Sequence, residues 1–465
     1  MSSTLTKKLE SLSSDDLIQI LVTLSEADKE SKKRINTLAS LHNPKELAKV
    51  INKDIGALKR STKYIDYSEV FEFAKKLDFM ADNIHKHLSK QAPDVAINLC
   101  QKVIDIDSSL FERVDDSYGL VGNFYGNIFS ALDKALAHAS LSATEIATLC
   151  LDIYKTDSYG NRSMIVDALN HCLSEDVMVE LERLMANNRL SEYSILYFKQ
   201  LFADKRKNIE AYIQCTQQQP EGIRASDIFE IAKRFNNQGR GDDAITWLDK
   251  FEASQVNKHS IKDYQYKCDT LYREAYHLEC DIDNEKKTVW RLFLANLDPK
   301  HYFEYFNMAS PEEKKIAQES AMEQAHQNDS LEDALSFLIG IHEYEKAGAL
   351  FLKRIDDVHS AHYSVYRKLS TTLHKNGEHL AAVMMRRTLV DDVLARSITK
   401  YYKYAVSDFT MSLKFGQHVQ DWQSYEDNHQ YLAELKELHF RKTSLWSLLE
   451  QSDYEAILFS DQIGK

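Results

Sequence analysis

Two copies of the tetrapeptide Asp-Ser-Tyr-Gly, at Asp116-Ser117-Tyr118-Gly119 and Asp157-Ser158-Tyr159-Gly160, hold the chain's densest grouping of chemically able side chains. Their carboxylates can accept hydrogen bonds or pair with cations, and their tyrosines offer a ring and a hydroxyl. With Asp115 and Arg162 alongside, the two copies could line one ridge that reads a basic or aromatic peptide. The plainer reading is structural: Asp and Ser are strong helix caps, and Gly tolerates the dihedrals of a tight turn. Gly119, Gly122 and Gly126 follow at helical spacing and leave one face bare, where a neighbouring helix can approach.

A second grouping, Lys400-Tyr401-Tyr402-Lys403-Tyr404, combines cations with rings suited to the centre of an interface. If one helix carries it, Tyr401, Tyr404, Ala405 and Phe409 share a face and belong to the core, leaving Lys400 and Lys403 to solvent. Near the C-terminus His439, Arg441, Lys442 and Trp446 suit either an anionic partner or the negative end of a helix dipole. The partner-binding candidates are thus Asp115, Asp116, Tyr118, Asp157, Tyr159, Arg162, Lys400, Arg441, Lys442 and Trp446.

Metal and catalytic chemistry find less support. Asp356, Asp357, His359 and His362 form a D-D-x-H-x-x-H cluster, and His277 and Cys280 stand three apart, but neither has a known ligand framework. No phosphate-binding loop, nucleophile elbow, H-E-x-x-H helix or dinucleotide fingerprint occurs. Neither metal nor cofactor is expected, and the chain reads as a non-enzyme.

The elements that must position these groups are helices. The two tetrapeptides lie 41 residues apart, the length of one HEAT or armadillo hairpin. Only 5 Pro and 13 Gly punctuate 465 residues, which suits long helices. The prolines Pro44, Pro93, Pro220, Pro299 and Pro311 fall in breaks or first turns. Ser13-Ser14-Asp15-Asp16 caps an amphipathic stretch through Leu17, Ile20, Leu21 and Leu24. Further helices are predicted from Pro44, over 66–87, over 93–104 and over 119–138.

Beyond residue 217 small residues recur where antiparallel helices must meet closely, as in Ala244 after the Gly239/Gly241 turn, Gly348, and Ala381-Ala382 after Gly377. The expectation is an all-α chain, an α-solenoid of antiparallel helical hairpins, HEAT-like in its N-terminal half and tetratricopeptide-like in its C-terminal half. Its parts would be an N-terminal helical segment (1–40), a first repeat region (41–217) and a second (218–465), with the stretch 217–224 as the place where the repeat type changes.

A net charge of −13 argues against bulk attraction to nucleic acid or anionic membrane. The short basic runs Lys32-Lys33-Arg34, Lys205-Arg206-Lys207 and Arg386-Arg387 read as solvated helix faces. The six cysteines lack any C-x-x-C pair and several adjoin leucines, so reduced, partly core thiols are expected. With no leader pattern at its start and no apolar stretch of membrane length, the chain reads as cytoplasmic.

The run Phe111-Glu112-Arg113-Val114-Asp115-Asp116-Ser117-x-Gly119-x-x-Gly122, the Tyr159-Gly160 connector, and the tail His429-x-Tyr431-x-x-x-Leu435-x-x-x-His439-x-Arg441-Lys442-x-x-x-Trp446 resemble a bacterial helical-repeat family of unknown function. That family is similar to the helical region accompanying SWIM zinc fingers. The Cys-x-Cys and Cys-x-His ligand pairs of such a finger are missing here. The resemblance therefore implies an α-solenoid and brings neither reaction nor cofactor. The expected function is a scaffold or adaptor that binds a protein partner through a curved helical surface; the alternatives are an enzyme with a site assembled across helices and a nucleic-acid-associated accessory protein.

Overall fold

The computed structural model of the chain describes residue 6 and residues 8–157, 160–188, 190–219, 222–253, 261–358 and 362–460. Among these residues the secondary structure is helical, apart from one isolated bridge that joins Ile65 to Val114. The chain divides into two compact units, Met1–Ile223 and Arg224–Lys465, so residues 1–40 group with the first.

The first unit contains α1 (Ser14–Ala27), α2 (Lys29–Ala39), α3 (Pro44–Arg60), α4 (Val70–Asn83), α5 (Pro93–Ile104), α6 (Asp107–Phe111), α7 (Leu120–Leu136), α8 (Ala143–Lys155), α9 (Met164–Ala168), α10 (Glu175–Ala186), α11 (Glu192–Lys205) and α12 (Ile209–Gln217). Their starts follow from sequence. Ser13 Oγ accepts the Asp16 amide at 3.1 Å while the Asp16 carboxylate accepts the Ser13 amide at 3.3 Å, closing a capping box. Pro44 and Pro93 open α3 and α5, where a missing N–H costs nothing.

The core of this unit runs from Leu47 and Ile51 on α3, through Phe124, Tyr125, Ile128, Phe129 and Leu132 on α7, to Phe198 and Phe202 on α11. Helix α7 is apolar on almost every side and packs against α4, α5 and α9. Each of its buried Phe or Ile side chains contributes roughly 1.5–3 kcal/mol. Gly126 faces α9, where a Cβ would stand 3.3 Å from the flexible end of Met164 at Cε. Helix α1 departs from expectation. Its apolar residues Leu17, Ile20, Leu21 and Leu24 have the spacing of one helix face, yet none of its residues is buried and its principal neighbour is α2.

The second unit contains α13 (Ala225–Asn237), α14 (Gly241–Ala253), α15 (Ile261–Leu278), α16 (Ile282–Asn296), α17 (Pro299–Met308), α18 (Pro311–Gln327), α19 (Leu331–Gly340), α20 (Tyr344–Lys353), α21 (Tyr363–Lys375), α22 (His379–Arg396), α23 (Tyr402–Gly416), α24 (Asn428–His439), α25 (Thr443–Glu450) and α26 (Tyr454–Ser460). Most helices pack on the next in sequence and several on the next but one, as α13 on α15, α19 on α21 and α20 on α22. Pro299 and Pro311 open their helices; Pro220 lies outside the described residues.

Small residues sit at close helix approaches. A Cβ on Gly348 of α20 would come within 2.7 Å of Glu378 Oε2 and 3.4 Å of Ala381 Cβ on α22. Two apolar clusters lie in its later helices, one around Phe293, Phe337, Phe351 and Tyr366, the other around Leu394, Tyr402, Phe409 and Tyr431, and Ile228, Phe229, Trp247 and Leu248 are buried in its first pair. The six cysteines form no disulfide, and all but Cys280 are buried. Burial pushes the Cys100 thiol up to about 12.

Candidate functional site

The two Asp-Ser-Tyr-Gly connectors use their first residue in the same way. The Asp116 carboxylate accepts the amides of Val121 and Gly122 at 2.8 and 3.0 Å, and thereby holds the free N–H groups at the start of α7. The Asp157 carboxylate accepts the amides of Arg162 and Ser163 at 3.0 and 3.1 Å, ahead of α9, and that of Gly160 at 2.8 Å. In both copies the bonded amides lie five and six residues on. Gly119 and Gly160 take φ of +67° and +90°, in the left-handed region that favours glycine. Asp115 bonds to Ser117, and its amide donates to Ile65 O at 2.9 Å. Ser158 and Tyr159 lie outside the described residues.

Arg162 is drawn inward. Its Nε and Nη2 clamp the buried Asp107 at 2.7 and 2.9 Å, Nη2 also donates to Ile104 O, and Nη1 reaches Thr156 Oγ1 at 2.7 Å. Burial alone would raise the Asp107 carboxyl, but its bonds from Arg162 and Ser108 hold it below the usual range. Tyr118 points the other way. It is exposed, stacks on Tyr67 at 4.7 Å between centroids, meets Phe71 at 4.8 Å, and contacts the Tyr67 hydroxyl with its own. The connector thus carries one outward aromatic cluster, to which Tyr67 and Phe71 contribute from just before and at the start of α4.

In the second unit the Lys-Tyr-Tyr-Lys-Tyr run is divided differently from expectation. A 3-10 turn over Thr399–Tyr401 precedes α23, so the helical phase begins at Tyr402. Tyr402, Ala405 and Phe409 are buried, whereas Tyr404 is exposed. Tyr401 and Tyr404 line a cleft of about 280 Å³ with Tyr363 and Arg367 of α21 and Val393 and Arg396 of α22. The Arg367 guanidinium sits 5.7 Å from the Tyr363 ring and 5.5 Å from that of Tyr404. Lys400 and Lys403 rest over Tyr401 and Tyr404 at 4.9 and 5.0 Å.

Behind the cleft lies an uneven ion cluster. Asp408, fully buried, accepts Arg367 Nε and Nη2 at 2.9 and 2.6 Å and Arg386 Nη1 at 2.6 Å. Two guanidiniums therefore share one carboxylate, leaving one positive charge uncompensated within the trio. The Asp408 bonds hold Arg367 above its ordinary pKa; burial pulls Arg386 below, against the pull of Asp408. Arg396 at the rim pairs with Asp392.

Arg386 and Arg387, expected on a solvated face, are both buried. Arg387 donates to Glu426 O and Asn428 Oδ1 and lies against the rings of Trp422 and Tyr431, and burial lowers it to about 10. Local spacing hid this because the acceptors lie some twenty to forty positions on. Tyr363, Arg367 and Arg396 were also missed as site residues; the i, i+4 spacing of Tyr363 and Arg367 was the available signal.

The C-terminal candidates are mostly committed to the fold. Lys442 Nζ donates to Leu394 O at 2.9 Å and Ser397 Oγ at 2.6 Å, closing the end of α22. Trp446 Nε1 donates to His439 O at 3.0 Å. Arg441 is exposed and lies over the Phe440 ring. In the two His-containing clusters, Asp357 pairs with Arg354, His362 lies 3.8 Å from Glu332, His277 lies 3.1 Å from Glu285, and His359 falls outside the described residues. Among the described residues no group of three His, Cys, Asp or Glu is arranged to hold a metal ion, and no helix is long and apolar enough to cross a membrane.

A family model described as a family of unknown function (DUF6880) matches residues 1–193 and 185–448. No curated protein matches the chain.

Proposed function

The chain belongs to this family of unknown function, and from that premise we propose that it is a non-enzymatic scaffold that binds a protein partner through the cleft between α21, α22 and α23. One observation carries the reading: in a chain of net charge −13, a guanidinium flanked by two tyrosine rings stands beside Arg396, Lys400 and Lys403. Rings and arginines of this kind are favoured at the anchor points of interfaces. Because Asp408 balances only one of the two arginines bonded to it, the cleft favours an acidic segment, and attraction to it weakens with salt.

An α-solenoid with tetratricopeptide-like hairpins in the second unit fits the same reading. Helices there meet their first and second neighbours, the arrangement in which a stack presents one continuous surface.

The test is co-purification of the tagged full chain from its native host, followed by identification of the bound protein and titration with its acidic segment. The double variant Arg396→Glu/Lys403→Glu, both at the rim and outside the Asp408 cluster, should weaken binding at least tenfold with helical content unchanged. Undiminished binding would remove the cleft from the account. Turnover of a small molecule by the purified chain would replace the scaffold reading with an enzyme.

A further inference from the structure

We infer that His374, His379 and His418 form a binding site for one late first-row divalent metal ion, with His374 Nδ1, His379 Nδ1 and His418 Nε2 as its ligands. The site does not draw on the cleft, whose Tyr363 and Arg367 lie in the first two turns of α21. His374 sits in the last turn of α21 and His379 opens α22. Between them Gly377 takes φ of +93° and the Glu378 amide donates to Leu373 O at 3.0 Å, a tight turn that folds one histidine back onto the other. Packing of α23 on α22 then brings in His418, two residues beyond the end of α23. The three ring centroids stand 4.8, 5.0 and 5.3 Å apart.

Two nitrogens are already at ligand spacing. His374 Nδ1 and His379 Nδ1 lie 3.0 Å apart. Two nitrogens bound to one ion at about 2.0–2.1 Å stand about 2.9 Å apart at a right angle and about 3.3 Å apart at the tetrahedral angle. A bond between two Nδ1 atoms needs one proton between them, so at least one ring is neutral and accepts. The ion takes that proton's place when the donor ring carries its hydrogen on Nε2 instead; both rings stay neutral, and the ion gives up one water for each nitrogen. Stacking on Phe415, at 4.1 Å and 17° between the rings, fixes the plane of His374. His418 Nδ1 approaches Lys414 O at 3.3 Å. A carbonyl only accepts, so Nδ1 carries the proton and Nε2 the lone pair, the arrangement usual in metal-bound histidine. The three rings do not converge on one point as they stand; rotation of the exposed His418 side chain about its own bonds brings Nε2 to the other two.

A cavity of about 530 Å³, walled by His374, Phe415, Gln417, His418 and Ile457 among others, gives the ion a way in. Among the described residues no carboxylate lines it, and its Lys414 is exposed. Imidazole nitrogens without a carboxylate suit Zn²⁺, Ni²⁺ and Cu²⁺, and do not suit Mg²⁺ or Ca²⁺, which take oxygen ligands.

Calorimetric titration of the chelator-stripped full chain with Zn²⁺, Ni²⁺ or Cu²⁺ alone tests this, with bound metal counted by mass spectrometry. Wild type should take up one ion per chain at this site and none of Mg²⁺ or Ca²⁺. His374→Gln/His379→Gln should abolish that uptake, His418→Gln should weaken it at least tenfold, and His138→Gln, at an exposed histidine of the first unit, should leave it unchanged. The electron paramagnetic resonance of bound Cu²⁺ should show three nitrogen ligands in wild type and two in His418→Gln. No uptake by the folded wild-type chain, uptake that survives the double substitution, or a His418→Gln chain that binds as tightly as wild type would each overturn the inference. Should the double variant lose helical content by circular dichroism, His418→Gln, a change at an exposed residue, decides alone.

Discussion

Asp133 is a residue at which one substitution removes several buried hydrogen bonds of the first unit at once. It lies on α7, is 2% exposed, and accepts the amides of Asn170, His171 and Cys172 at 2.9–3.0 Å together with the His171 ring at 2.6 Å. Burial alone would raise its pKa, but these bonds to the charged form pull it below the ordinary carboxylate value. A carboxylate whose folded pKa is depressed adds stability above its unfolded value, and that stability is lost as pH falls through the folded value. Asp133→Ala should therefore cost about 3 kcal/mol at neutral pH in urea unfolding. The difference from wild type should shrink as pH falls below the ordinary carboxylate range. A cost independent of pH would mean that packing, rather than charge, is what Asp133 supplies. Sequence did not single out this residue, because its donors lie 37 to 39 positions away.

At the scale of elements, the doubled connector is a device for starting helices. Asp116→Ala and Asp157→Ala should each destabilise the first unit by about 1 kcal/mol, as loss of a cap does, and Ser117→Ala by less. Thermal unfolding followed at 222 nm reads the difference. Equal effects of all three would show that the carboxylate bonds to the amides five and six residues on are not what matters. That the aspartates cap was legible beforehand, because cap residues act within a few positions. The fate of the other members was not. Whether Tyr118 turns outward onto Phe71 and Arg162 turns inward onto Asp107 depends on which neighbour lies beside the connector. The same lesson holds in α23, where Ala405 and Phe409 are buried as their spacing suggested but Tyr402, rather than Tyr404, joins them.

At the scale of the molecule, each unit has its own apolar core, so residues 1–223 and 224–465 should each fold when expressed separately. Each should give a helical circular-dichroism spectrum and a cooperative unfolding transition; a fragment without cooperative unfolding would show that its core is incomplete alone. The sequence by itself determined that the chain is helical, where several helices begin, and that its cysteines stay out of disulfides. These rest on local rules: caps, prolines at first turns, and apolar spacing along one helix face. It also suggested a hairpin repeat through the spacing of the connectors. Only the tertiary structure decided which charges are surface and which are core. Arg386 and Arg387 went inside because buried acceptors on distant helices were there to receive them. The apolar stripe of α1 stayed outside because nothing in the described part of its own chain covers it.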